Sequence, residues 1–153
     1  MEEFQFLKDV EFIDVHNCPD LIKQYGIKGD FGADDAAKIV AGEVGKNPFV
    51  DKGIVICASG LGVQIYTNTH DYVLGSIAGS AAQVKRMVGI VGMDILCLPD
   101  LKSLKNWKCI VKTFLKTKIK PNDKDMLEKN ARLIEAGGRK PFNPKKTKFK
   151  SAD

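Results

Sequence analysis

Four short apolar runs along the chain have the length and composition of β-strands buried in a sheet. They lie at residues 10–15, 54–56, 74–78 and 94–98. Short apolar runs bounded by turn residues are typical of strands that are covered on both faces. Pro99 directly follows the last run and lacks a backbone N–H, so we expect it to end that strand.

The segments between these runs and after the last of them are predicted helices. Over residues 104–117 the apolar positions recur every three or four residues, which predicts an amphipathic helix. The predicted helices cover residues 33–44, 60–68, 80–88, 104–117 and 126–136. Ser80 is expected to be the N-cap of the third of them. Strands that alternate with helices in this way form a mostly parallel sheet with helices on both faces. The sequence therefore predicts a Rossmann-like, three-layer α/β/α fold.

Length and charge divide the chain into a folded part and a tail. We predict one α/β domain over residues 1–136, which are long enough to bury a stable core. Residues 137–153 carry six basic side chains and one acidic side chain, so they account for the whole net charge of +5. Glycine, proline and lysine dominate this stretch, which predicts a disordered tail. A solvated tail is the favoured interpretation, and a contact with RNA or another acidic partner is the alternative.

The remaining composition argues against several classes of protein. The first residues are acidic and lack the apolar run of a signal peptide, and no segment reaches the roughly 18 apolar residues of a membrane helix. We therefore predict a cytoplasmic protein with no membrane partner. The cysteines show no CxxC spacing, which argues against a disulfide framework and against a zinc site. They are Cys18, Cys57, Cys97 and Cys109.

The candidate site is the loop that follows the second apolar run. Cys57 ends this run, and Gly60 and Gly62 come shortly after it. Open α/β sheets bind ligands at the carboxyl ends of their strands, which is where we expect Cys57. The two glycines let the chain turn sharply and present backbone amides to a ligand above the thiol. The pattern predicts a base or nucleophile beside anion-binding amides, and a structural thiol at a strand end is the alternative.

A family resemblance is carried by residues 53–69, GIVICASGLGVQIYTNT. This run resembles the hallmark GILICGTGIGMSIAANK of the family that contains ribose-5-phosphate isomerase B and the galactose-6-phosphate isomerase subunits. The similarity extends over about residues 6–136. It implies an aldose–ketose isomerase of the ribose 5-phosphate/ribulose 5-phosphate type that works through a cis-enediolate without metal or cofactor. It also implies a phosphorylated sugar as substrate and a homodimer or higher homo-oligomer.

The resemblance also assigns roles to individual residues. Cys57 takes the place of the base that removes a proton from carbon, and Ser59 stands where a threonine relays protons. A thiol with an ordinary pKa is a poor base at neutral pH, so the loop amides must favour the thiolate. The positions that hold the substrate are Ala58, Gly60, Leu61, Gly62 and Asn68.

Three departures from the family pattern leave the activity open. The family's first strand, with its sugar-binding Asp-His, has no counterpart at the start of this sequence, which is either a loss or a truncation. We place Gly79 at the position of the ring-opening histidine, and Lys124 and Lys129 where the family has phosphate-binding arginines. Candidate replacements are His16, His70 or residues of a partner chain. The alternative function is a catalytically impaired homologue that binds a phosphorylated metabolite or pairs with an active subunit.

Overall fold

A computed structural model describes residues 13–47 and 51–118. Three strands in this part form a parallel sheet, in the order β1 (Gly53–Ile56), β3 (Ile95–Leu98), β2 (Gly75–Ile77). The central strand, β3, has all four of its residues buried. Because the strands are parallel, all three end at the same edge of the sheet, which we call the carboxyl edge.

The described part of the chain contains five α-helices. They are α1 (Pro19–Gln24), α2 (Ala33–Val44), α3 (Leu61–Thr67), α4 (Ala81–Arg86) and α5 (Trp107–Lys116). Short 3-10 turns occur at Val15–Asn17 and Leu101–Ser103, and a π-helical stretch, Met87–Val91, continues α4. Within residues 13–47 and 51–118, none of the helices has the length and apolar character needed to cross a bilayer.

Two apolar clusters hold the helices against opposite faces of the sheet. The buried residues on the face covered by α2 and α3 are Ala37, Ala41, Val44, Val55, Val63, Val73, Ile95 and Cys97. Those on the face covered by α4 and α5 are Ala78, Val84, Val88, Met93, Leu96, Leu98, Ile110, Val111 and Phe114. The predicted α/β/α layers and parallel sheet are confirmed, and most of the stabilisation comes from this apolar burial.

Both α2 and α3 run antiparallel to the strands. A Cβ atom added to Gly53, the first residue of β1, would meet Val44 near the end of α2. An added Cβ at Gly75, the first residue of β2, would meet Thr67 at the end of α3. The ends of both helices therefore lie beside the starts of the strands, so both helices begin at the carboxyl edge.

The predicted strand over residues 10–15 is wrong in the part that the structure describes. Residues 13 and 14 are not in a strand, and a 3-10 turn begins at Val15. The Asp14 carboxylate accepts hydrogen bonds from the backbone N–H of His16 (3.2 Å) and the side-chain amide of Asn17 (2.8 Å). Local bonds of this kind stabilise a turn in competition with an extended strand. Residues 10–12 lie outside the described part.

The helix predicted over residues 104–117 begins three residues later, at Trp107. The carboxylate of Asp100 accepts the backbone N–H of Lys102 (3.1 Å) and so caps the turn Leu101–Ser103 that precedes α5. The predicted helix over residues 126–136 and the tail lie outside the described residues.

Candidate active site

The loop after β1 crosses the carboxyl edge of the sheet. Gly60 is buried and has a φ angle of +77°. A Cβ atom added to it would lie 3.1 Å from the backbone of Leu98 and Pro99, and 3.4 Å from the Ile77 side chain. The loop that begins at β1 therefore lies on the end of β3 and reaches the end of β2. This close approach, together with the left-handed backbone, requires glycine at position 60.

Cys57 is half-buried at the start of this loop. Its backbone N–H donates to the carbonyl of Leu98 (3.2 Å), which extends the β1–β3 ladder by one residue. Its Sγ atom accepts a hydrogen bond from the backbone N–H of Gly60 (3.1 Å). The sheet therefore fixes the Cys57 backbone, and the glycine turn brings an amide donor to its sulfur.

The environment of the Cys57 sulfur favours the thiolate. Burial raises the pKa of the thiol, but hydrogen bonds from the backbone of Val63, Ser59 and Gly60 and from the Ser59 side chain lower it. The net result is a pKa below the ordinary value of a cysteine. Donors that stabilise the charged form of a group lower the pKa of an acid in this way. Cys57 therefore has the character expected of a base or nucleophile.

The other loop residues follow this thiol along the carboxyl edge. Ser59 is exposed, and its Oγ accepts the backbone N–H of Leu61 (3.2 Å). The carbonyl of Ala58 accepts the backbone N–H of Asp100 (3.4 Å), which ties the loop to the chain after β3. Gly62 is exposed, with no atom within 4 Å of an added Cβ. The structure thus brings together the predicted site residues from position 57 to position 62.

Asn68 lies apart from this group. It is the C-cap of α3, at the opposite end of the helix from the Cys57 loop. Seven residues at about 1.5 Å per residue separate the two ends by about 10 Å. The Asn68 carboxamide is bonded to the backbone of Gln64 and Gly75. Its predicted role in substrate binding stays a prediction.

The two histidines lie at opposite edges of the sheet. His70 follows α3 at the edge where the strands begin, and its Nδ1 lies 3.2 Å from the carbonyl oxygen of Tyr66. His16 is exposed and packs edge-on against Phe31, with 5.0 Å between ring centroids, just before α2 begins. Of the two candidate replacements, only His16 is at the edge where Cys57 lies.

The loop after β2 also lies at the carboxyl edge. Gly79 is exposed, and its backbone N–H donates to Oε1 of Gln83 (2.8 Å). The Gln83 backbone N–H donates to Oγ of Ser80 (3.2 Å), which confirms Ser80 as the N-cap of α4. Sequence reasoning did not single out Gln83, although serine followed three residues later by glutamine is the signature of a capping box.

Asp94 is a second titratable group with a strongly shifted pKa. Only 2% of its surface is exposed, and burial raises the pKa of its carboxyl group to about 7. The Asp94 carboxylate accepts a hydrogen bond from the backbone N–H of Leu74 (2.7 Å). Asp94 lies directly before β3, at the edge of the sheet opposite Cys57. A carboxyl group with this pKa would suit acid–base catalysis, but its position makes it part of the connection between β2 and β3.

Asp94→Asn is expected to remove a pH dependence of stability. The pKa of about 7 in the folded state lies above the ordinary value of 3.8 for an aspartate, so the folded state binds the proton more tightly. The protonated carboxyl group stabilises the fold at low pH, and this contribution is lost as the pH rises through 7. The free energy of unfolding should fall by on the order of 1 kcal/mol per pH unit between about pH 5 and pH 7.

Urea unfolding of both proteins between pH 5 and pH 8 checks this expectation. Asparagine keeps an oxygen acceptor for the Leu74 N–H, so the variant should show a flatter pH profile and exceed the wild type in stability at pH 8. If the free energy of unfolding changed with pH in the same way in both proteins, the expectation would be contradicted.

A cleft of about 360 Å³ runs beside β2, away from the Cys57 loop. Its lining residues are Gln64, Asn68, Leu74, Gly75, Ser76, Met87, Val91 and Met93. None of the loop residues 57–62 borders it. Among the described residues, no cluster of three or more histidine, cysteine or acidic side chains is arranged to hold a metal ion.

Several solved structures resemble this chain in fold, among them isomerases from three organisms. Ribose-5-phosphate isomerase B from Mycoplasma genitalium, solved with bound ribulose-5-phosphate, has a TM-score of 0.59 and 25% identity, and the match covers 72% of each chain. The type B enzyme from Trypanosoma cruzi has a TM-score of 0.63 and 19% identity over 72% of this chain and 73% of its own. Ribose-5-phosphate isomerase B from Clostridium thermocellum has a TM-score of 0.60 and 22% identity, and the match covers 78% of this chain and 86% of its own.

Comparison at the level of sequence families agrees with these structures. Residues 22–132, well over half of the chain, match the model of the family described as Ribose/Galactose Isomerase. No curated protein sequence gives a match. The family match includes the Cys57 loop and all three strands, and it confirms the predicted class of sugar-phosphate isomerase. The chain belongs to the ribose/galactose isomerase family.

Proposed function

We propose that this protein interconverts an aldose phosphate and a ketose phosphate of the ribose 5-phosphate/ribulose 5-phosphate type, with Cys57 as the base. The observation that carries the proposal is the half-buried Cys57 thiol at the carboxyl edge. Its sulfur accepts a hydrogen bond from the Gly60 backbone N–H, and its pKa is lowered. The M. genitalium relative, solved with ribulose-5-phosphate, supports this class of substrate.

The reaction moves one proton between neighbouring carbon atoms. The Cys57 thiolate removes the proton from C1 of the ketose, and the electron pair forms a cis-enediolate across C1 and C2. The resulting thiol returns the proton to C2, which leaves the carbonyl group at C1. The Ser59 hydroxyl lies beside the thiol in the same loop and relays the proton between the two sugar oxygens. A base and a relay of this kind each lower the barrier to proton transfer.

The loop amides have two tasks in this cycle. Before reaction, the Gly60 N–H stabilises the thiolate at 3.1 Å. Once the sulfur carries a proton it is a weaker acceptor, while negative charge has moved to the enediolate oxygens. The Ser59 and Gly60 amides, which bond to the sulfur, are then available for the enediolate, in the manner of an oxyanion hole within the segment from Ala58 to Gly62.

The remaining predictions complete the proposal. The substrate carries a phosphate group, and Lys124 and Lys129, which lie outside the described residues, are its expected contacts. The reaction as written needs no cofactor or metal. We expect a homodimer or higher homo-oligomer in the cytoplasm.

Proton exchange with solvent tests this function. The protein is incubated in deuterated water with ribulose 5-phosphate, and deuterium at C1 is followed by NMR. This ketose cannot form a furanose ring, because its O5 carries the phosphate, so the assay does not depend on ring opening. We expect deuterium to enter C1 and labelled ribose 5-phosphate to form. A parallel reaction that starts from cyclic ribose 5-phosphate measures ring opening in addition.

The control is the same mixture without protein. Exchange no faster than in this control, from a chain shown to be folded by circular dichroism, would contradict the proposal. Binding of ribulose 5-phosphate without exchange would then favour the alternative, a catalytically impaired homologue.

A further inference from the structure

The carboxamide of Asn68 makes three hydrogen bonds to backbone groups. Its Nδ2 donates to the carbonyl oxygens of Gln64 (2.9 Å) and Gly75 (2.7 Å). Its Oδ1 accepts the backbone N–H of Gly75 (3.0 Å). Both N–H bonds of the amide are therefore donated to the protein, and none is left for a sugar oxygen.

This carboxamide takes the place of a neighbouring strand at the edge of β2. The carbonyl of Leu74 accepts the N–H groups of Asp94 and Ile95, each at 3.2 Å, so the backbone groups of residue 74 face β3. Successive residues of a strand direct these groups to opposite sides. The backbone N–H and carbonyl of Gly75 therefore face away from β3, and the Asn68 carboxamide forms a hydrogen bond with each of them.

Together with the loop glycine, these bonds fix α3 against β2 at both ends. At the start of α3, Gly60 lies against Ile77, the last residue of β2. At its end, Thr67 lies so close to Gly75 that a Cβ there would meet its side chain. The Asn68 bonds are the polar part of this second contact. Asn68 thus supplies side-chain hydrogen bonds that join the end of α3 to β2.

The orientation of α3 matters because the start of the helix holds the thiol. The hydrogen bonds that favour the Cys57 thiolate come from Gly60, the N-cap of α3, and from Val63 in its first turn, as well as from Ser59. A helix of seven residues moves almost as a rigid rod, so a tilt at one end displaces the other.

We propose that Asn68 is a positioning residue, which locks the end of α3 to β2 and thereby holds the amides at the start of α3 against the Cys57 sulfur. In this proposal Asn68 acts on Cys57 through α3 and does not bind the substrate. This inference rests on the proposed function, in which Cys57 is the base, and it assigns the control of that base to a residue about 10 Å away.

Asn68→Ala tests the inference, with Thr69→Ala as the matched control. The Thr69 hydroxyl donates to the carbonyl of Tyr66 (2.7 Å), so the control also loses a side-chain bond at the end of α3 but keeps the link to β2. The pH dependence of alkylation by iodoacetamide is measured for the Cys57 peptide by mass spectrometry, which separates it from Cys18 and Cys109. This reaction needs no turnover, so it reports on Cys57 even if the isomerase assay fails.

The alkylation midpoint should rise by about half a pH unit or more in Asn68→Ala and stay unchanged in Thr69→Ala. In the deuterium assay, kcat should fall about tenfold while KM stays within about twofold, because a base is displaced and no ligand is lost. Asn68→Asp, which keeps an acceptor for the Gly75 N–H and loses both donors, should shift the midpoint in the same direction.

Two results would overturn the inference. One is a higher KM with an unchanged midpoint, which would make Asn68 a ligand. The other is a midpoint that does not move, or moves equally in the Thr69 control. If Asn68→Ala does not fold, the same readings on Asn68→Asp decide the question.

Discussion

Cys57→Ser is expected to slow the exchange of the C1 proton of ribulose 5-phosphate by a factor of about 100 to 10,000. Serine has nearly the same shape as cysteine, but its hydroxyl group has a far higher pKa than a thiol. The loop amides that favour the thiolate therefore cannot make serine an effective base. The substitution keeps the hydrogen bond from the backbone N–H of residue 57 to the Leu98 carbonyl (3.2 Å), so the fold should be unaffected.

Deuterium incorporation in the variant and the wild type gives this factor directly. The control is Cys109→Ser, because Cys109 is an exposed thiol on α5, away from the loop, and its loss should leave the rate unchanged. A Cys57→Ser protein that keeps most of the exchange rate would show that another group removes the proton.

Gly60→Ala is expected to lower the free energy of unfolding by about 3 kcal/mol. The left-handed backbone at position 60 costs a residue with a Cβ about 1–2 kcal/mol. The new methyl group would also lie 3.1 Å from the backbone of Leu98 and Pro99, which cannot move without disturbing the end of β3. Crowding of this kind adds about 1–3 kcal/mol.

Gly62→Ala provides the matched control for this substitution. Gly62 lies in α3, its φ angle is not positive, and an added Cβ would have no neighbour within 4 Å. Alanine should therefore raise the free energy of unfolding by about 0.5–1 kcal/mol. Urea unfolding followed by circular dichroism measures both variants. Equal changes in the two proteins would mean that position 60 does not require glycine.

Local pattern is enough to predict most of the elements. The apolar runs at β1, β2 and β3 and the predicted helical segments at α2 and α3 correspond to elements in the structure. The central strand is fully buried, and α2 buries an apolar side. In α3, by contrast, Leu61, Ile65 and Tyr66 are exposed, so the sequence predicts this helix but not its buried face. The run over residues 10–15 has a similar pattern but fails at its described end, because the Asp14 carboxylate bonds to the turn that follows.

The candidate site is predictable only where it is local. The loop from Cys57 to Gly62 is continuous in sequence, so its glycines and thiol can be found by inspection. Asn68 acts through Gly75, and Asp94 is buried through its bond to Leu74, and both contacts join residues brought together by folding. Nothing in the neighbouring sequence of Asn68 or Asp94 distinguishes it from an ordinary polar residue in a turn.

The position of β3 in the middle of the sheet has a consequence for the order in which the protein is assembled. β3 is the last of the three strands in sequence, and β1 and β2 pair with it and not with each other. A nascent chain that has emerged only as far as β2 therefore holds two strands without their partner. The backbone of Leu98 and Pro99, on which Gly60 lies, appears later still. The Cys57 thiol is thus made before the central strand but gains its hydrogen-bonded environment only after that strand is in place.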